Sequence, residues 1–143
     1  MNSKLTKSAL LVALTLTVIA ALPQLMVAQE AGDQIAPAGH LNITWNINLS
    51  GQVFLGARPV GAAEYEVEGS RRRFSAEADN VNLPNGSRLT VYAASKPVGS
   101  FTLTDGGGAL LLDTFAHQSV PYINHGTVVA IYYGSTRLLS GKF

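Results

Sequence analysis

The sequence contains no cysteine. It therefore folds without disulfides, and a lipid cannot be attached at a lipobox cysteine. Stability must come from a buried core. Charge is also scarce, at 13% of residues. Helical periodicity is missing, because no window spaces its apolar residues as an amphipathic helix would. The usual marks of catalysis are missing too. There is no G-x-S-x-G elbow, no H-E-x-x-H pair and no phosphate loop ending in G-K-[ST]. Asp105–Gly108 is rich in glycine, but strand patterns flank it on both sides, whereas a phosphate cradle opens onto a helix. Glu77, Asp79, Asp105 and Asp113 lack the D-x-D-x-D clustering of a calcium loop. These absences point away from an enzyme and imply no cofactor.

What is present begins with a leader. Lys4 and Lys7 precede an uncharged run from Ala9 to Leu22, which Pro23 and Gln24 break before Met26-Val27-Ala28. This is the layout of a secretory signal peptide, predicted to end near residue 28. The competing reading, a membrane anchor, needs a longer apolar run and a basic stop signal. Cleavage removes two lysines and no acid, leaving eight basic residues against nine acidic ones. A chain so nearly neutral has no electrostatic footprint for nucleic acid. The expected organisation is a signal peptide over 1–28, a flexible lead over 29–39 and one domain over 40–143. The destination is the periplasm, the cell surface or the medium, with no membrane span left after cleavage.

Leu41–Ser50 (LNITWNINLS) alternates strictly between apolar and small polar residues, with Trp45 at the centre of the apolar face. A strand sends successive side chains to opposite faces, so this stretch covers a core on one side only. Ala62–Glu68 and Arg71–Asp79 also alternate, and Gly69-Ser70 between them is a two-residue hairpin turn. That turn sets Glu68 opposite Arg71, Glu66 opposite Arg73 and Tyr65 opposite Phe74, which pairs opposite charges on one face and aromatics on the other. Further strands are expected over Ser87–Ala94, Val98–Thr104, Ala109–Thr114, Thr127–Tyr133 and Thr136–Phe143. Turns fall at Val81–Gly86, Ser95–Pro97, Asp105–Gly108 and Gly134-Ser135. Thr127–Tyr133 is almost wholly apolar, as a central strand would be. Val53, Phe54 and Leu55 are expected to tuck beneath the sheet. Phe115–Gly126 is the longest irregular stretch. Leu49-Ser50-Gly51 recurs as Leu139-Ser140-Gly141, which marks the first and last strands as neighbours. About eight short strands predict an all-β fold, an antiparallel β-sandwich of immunoglobulin-like or related type, with a partly closed barrel as the alternative.

The run DNVNLPNGSRLTVY, then VGSFTL, a glycine-rich turn, LLLDT, a Val-Pro step and the closing SGKF resembles a group of exported bacterial all-β domain proteins to which no activity is assigned. The matching positions are Arg71–Phe74, Asn82–Gly86, Val120-Pro121 and Ser140–Phe143. The resemblance covers roughly the last 80 residues and implies a secreted β-domain. It carries no catalytic residues.

Several side chains remain as candidates for function. Tyr92, Tyr122, Tyr132 and Tyr133 are candidate ligand-binding residues, since an exposed tyrosine row beside Asn and Thr would stack on sugar rings. The competing reading packs each tyrosine on its neighbouring strand. Arg72 joins them as the one arginine of Arg71-Arg72-Arg73 without a carboxylate across the hairpin. His117, His125 and Asp113 are the only candidates for a metal site, and their spacing matches no standard one. Leu41–Ser50 is a candidate for self-assembly, donated into a neighbouring copy's groove. The sequence thus predicts a non-enzymatic exported module acting in binding or assembly. A glycan-binding module and a metal-dependent hydrolase are the alternatives.

Overall fold

The structure, a computed structural model, describes residues 41–143. The expected leader, the lead over 29–39 and His40 lie outside the described residues. Eight strands follow one another: β1 (Asn42–Ser50), β2 (Val60–Glu68), β3 (Arg71–Asp79), β4 (Arg88–Ala93), β5 (Lys96–Thr102), β6 (Gly108–Asp113), β7 (Val128–Tyr133) and β8 (Thr136–Lys142). A 3₁₀ turn over Thr114–Ala116 separates β6 from the loop that leads to β7. Among the described residues no helix is long and apolar enough to cross a membrane.

All pairings are antiparallel, in the order β5-β4-β7-β8-β1-β2-β3-β6. The expected all-β class and strand number are therefore present. The expected division into two facing sheets is corrected, because the strands form one continuous sheet that curls towards closure. The seam between β8 and β1 is joined at one position, Ser50 opposite Ser140. These are the central residues of the repeated Leu-Ser-Gly triplets, and the preceding Leu49 and Leu139 are both buried. Gly141 lies so near the partner strand that a Cβ there would sit 2.6 Å from the Asn48 carbonyl oxygen. At the other seam, β5 and β6 lie side by side with no ladder between them. A Cβ on Gly99 would fall 2.8 Å from the Leu110 side chain. Small residues at both seams thus let the sheet fold over on itself.

The β2–β3 hairpin has the expected register, with Glu68, Glu66 and Tyr65 opposite Arg71, Arg73 and Phe74. Alternation sends Tyr65, Phe74, Ala76 and Ala78 inward, where they join Leu89, Val91, Leu103, Val129 and Ile131 in the core. β7 is central and buries Val129, Ala130 and Ile131. Trp45 points to the same side but is only half-buried, against Tyr65, Phe143 and His125. The irregular stretch after the 3₁₀ turn is part of the core, because Val120 and Ile123 plug the interior from it.

Three local expectations change. Val53 and Leu55 do not tuck under the sheet; each is 60% exposed. Reciprocal backbone hydrogen bonds between Phe54 and Ala57 make a tight turn with Leu55 and Gly56 at its tip, and only Phe54 and Pro59 turn inward. The turn after β4 is Ala94-Ser95, both with positive φ, so Lys96 and Pro97 belong to β5. Pro97 is tolerated there because β5 is an edge strand, where a missing N–H breaks no second ladder. Finally, Arg71 bonds to Asp113 on β6 rather than to Glu68. Arg73 does pair with Glu66.

Candidate functional site

The outer face of the β5-β4-β7-β8 half brings two of the predicted tyrosines together. On β4, Leu89, Val91 and Ala93 turn inward and are buried, so Arg88, Thr90 and Tyr92 turn outward. On β7, Val129 and Ile131 turn inward, leaving Val128, Ala130 and Tyr132 outside. The register places Tyr92 opposite Ala130 and Thr90 opposite Tyr132. The two tyrosines are thus diagonal neighbours across the ladder, within reach of large side chains. Their rings meet edge to face, with centroids 5.0 Å apart and planes at 63°. Ala130 is buried although it faces outward, and it forms a floor beside both rings.

A groove of about 390 Å³ follows. Tyr92, Ser95, Ala130, Tyr132, Ser135 and Arg137 line it. Ser95 and Ser135 belong to turns at opposite ends of β7, so the groove runs along that strand. Arg137 reaches it because of a bulge. Ile131 pairs with Leu139 and Tyr132 pairs with Arg137, which leaves Leu138 as an extra residue in β8. The bulge lets Leu138 and Leu139 both turn into the core and re-aims Arg137 to the tyrosine side. Among the described residues Arg137 has no carboxylate partner.

The other candidates go elsewhere. Tyr122 is 74% exposed and lines a second concavity with Lys96, Pro97 and Pro121. The two concavities meet at the β4–β5 turn, where Ala94 lines one and Ser95 the other. Tyr133 is exposed at the end of β7 and does not line the groove. Arg72 lies in the other half of the sheet, with the inward alternation of Phe74 and Ala76. Its backbone N–H donates to Thr114 Oγ1 at 3.0 Å.

The metal candidates do not converge. Asp113 accepts from Arg71 Nε at 3.1 and 3.2 Å, and its Oδ1 accepts from the Phe115 N–H at 2.8 Å. His125 stacks on Trp45 with centroids 4.6 Å apart, while His117 ends the 3₁₀ turn with positive φ. Among the described residues no three His, Cys, Asp or Glu side chains gather where an ion would sit.

Sequence reasoning missed Ala130, Arg137, Ser95 and Ser135. Two signals were present. Ala130 is the one small residue in Thr127–Tyr133, and the adjacent Leu138-Leu139 cannot both face a core without a bulge. No family model, curated protein or solved structure matches the chain.

Proposed function

We propose that this domain is an exported, non-catalytic binding module whose groove along β7 takes a glycan. The observation that carries the reading is the Tyr92–Tyr132 pair beside Arg137, which has no carboxylate partner among the described residues. Aromatic faces cover the apolar C–H surface of a sugar ring. A guanidinium offers a planar fork of donors, and serine and tyrosine hydroxyls both donate and accept. The groove runs along β7 from one turn to the other, which suits a chain of sugars better than a compact metabolite. The leader-like start of the sequence supports export to where such chains occur.

The test is a glycan array followed by calorimetric titration of the leading hits. Tyr132→Ala and Arg137→Ala should each abolish or strongly weaken binding, and Tyr122→Ala should leave it near wild type. An array without hits, or affinity retained in the Tyr92→Ala/Tyr132→Ala double variant, overturns the reading.

A further inference from the structure

Among the described residues, β1 is fully used along one edge and mostly unused along the other. It pairs with β2 over its whole length, from Asn42 opposite Glu68 to Ser50 opposite Val60. Within this chain the strand's β2 edge is thus occupied. The Gly69 N–H donates to the Leu41 carbonyl, so the odd-numbered residues of β1 exchange the ladder bonds with β2. The N–H and C=O groups of Asn42, Thr44, Asn46, Asn48 and Ser50 then point the other way, towards β8. There the single pair is Ser50 with Ser140; β8 ends at Lys142, level with Asn48, and Phe143 carries its ladder with β7 on to the level of Ile47 by bonding to the Thr127 carbonyl. Among the described residues, the backbone groups of Asn42, Thr44 and Asn46 on that side have no partner.

Exposed edges are ordinarily guarded by charge, proline or a bulge. This edge has none of these: Asn42–Ser50 contains no charged residue and no proline, and its register with β2 is unbroken. Asn42, Thr44 and Asn46 are exposed, and Leu41 at the open end is 69% exposed despite being apolar.

We propose that this edge pairs with the same edge of a second copy, antiparallel and centred on Thr44. A two-fold axis there sets Asn42 opposite the partner's Asn46 and Thr44 opposite the partner's Thr44. About six backbone hydrogen bonds form. On the apolar side, Ile43 falls opposite the partner's Trp45, while the level of Ile47 is already taken by Phe143. No like charges meet. The partner strand runs in the same direction as β8 and, from its Asn42 on, continues the line beyond Phe143. Self-complementarity favours a second copy over an unrelated strand, because the same five residues supply both halves of the ladder.

Thr44 provides the test, since its side chain is exposed and its N–H is not used by the β1–β2 ladder. Sedimentation velocity of the secreted protein over a dilution series should show a reversible monomer–dimer equilibrium. Thr44→Lys and Thr44→Glu, each alone, place like charges across the axis and should raise the dissociation constant about fivefold or more. Mixing the two variants should restore association as a heterodimer, which a merely misfolded variant would not do. The proposal is overturned if the wild type stays monomeric at every concentration, if Thr44→Lys associates like wild type, or if the mixture fails to recover. A monomer whose Asn42, Thr44 and Asn46 amides resist hydrogen exchange at every dilution would instead assign the edge to another segment of the same chain.

Discussion

Arg71 bonds to Asp113 across the β3–β6 ladder, although Glu68 stands opposite it in the hairpin. Both carboxylates share its face of the sheet. Asp113 is held in place by the Phe115 N–H and caps the start of the 3₁₀ turn, whereas Glu68 sits at a strand end. The Arg71 guanidinium also lies 5.3 Å from the centre of the Phe115 ring. The preorganised carboxylate thus wins over the nearer one in sequence.

This pair makes stability depend on acid. The Arg71 hydrogen bonds first, and the Phe115 N–H second, hold Asp113 below its ordinary value. A carboxylate depressed in the folded state contributes stability that is present above its unfolded value and is lost as pH falls through its folded one. The loss therefore falls below about pH 4. Asp113→Asn should lower the melting temperature at pH 7 and flatten the decline below pH 4, measured by circular dichroism melts across pH.

Glu64 behaves in the opposite sense. Burial first, and then the charge and hydrogen bond of neighbouring Glu66, push it above its ordinary value, with Arg73 opposing. A raised carboxylate favours the protonated folded state. Its contribution is greatest below the unfolded value and is lost as pH rises through the folded one. Glu64→Gln should raise the melting temperature at pH 7, and the gain should vanish in melts at pH 3.

Tyr92 and Tyr132 should be energetically coupled even without a ligand. Edge-to-face aromatic pairs add about 0.5–1.5 kcal/mol beyond the area they bury. A double-mutant cycle with Tyr92→Ala and Tyr132→Ala, read by urea denaturation, should return a coupling in that range. The same cycle between Tyr92 and Tyr122 should return none.

The β1–β8 seam depends on a missing side chain. Gly141→Ala places a Cβ against the Asn48 carbonyl, and overpacking of this kind costs about 1–3 kcal/mol. Ile131→Val, in the middle of the core, should cost about 0.5–1.5 kcal/mol. Hydrogen exchange would tell them apart: Gly141→Ala should loosen the Asn48–Ser50 amides ahead of the rest of the sheet, while Ile131→Val should lower protection across the sheet together.

Alternation made most strands legible. Leu41–Ser50 and the Arg71–Asp79 hairpin each expose one coherent face in only one register, and Gly69-Ser70 settles which. The repeated Leu-Ser-Gly triplets foretold the contact of first and last strands because both glycines must admit a neighbouring backbone. The bulge at Leu138 was harder to read, since one inserted residue reverses the side on which Arg137 lies. Val53 and Leu55 misled because apolar character alone does not say whether a short turn points inward or out.

The sequence by itself determined the antiparallel strands, the hairpin register and which faces are apolar, because these depend on local alternation and turn chemistry. Only the tertiary structure decided that the strands make one curled sheet, that Arg71 chooses Asp113, that Tyr92 meets Tyr132 and that, among the described residues, β1 is mostly unpaired along its β8 edge. Each of these depends on which distant strands become neighbours, and side-chain volume and backbone approach at the two seams set that choice.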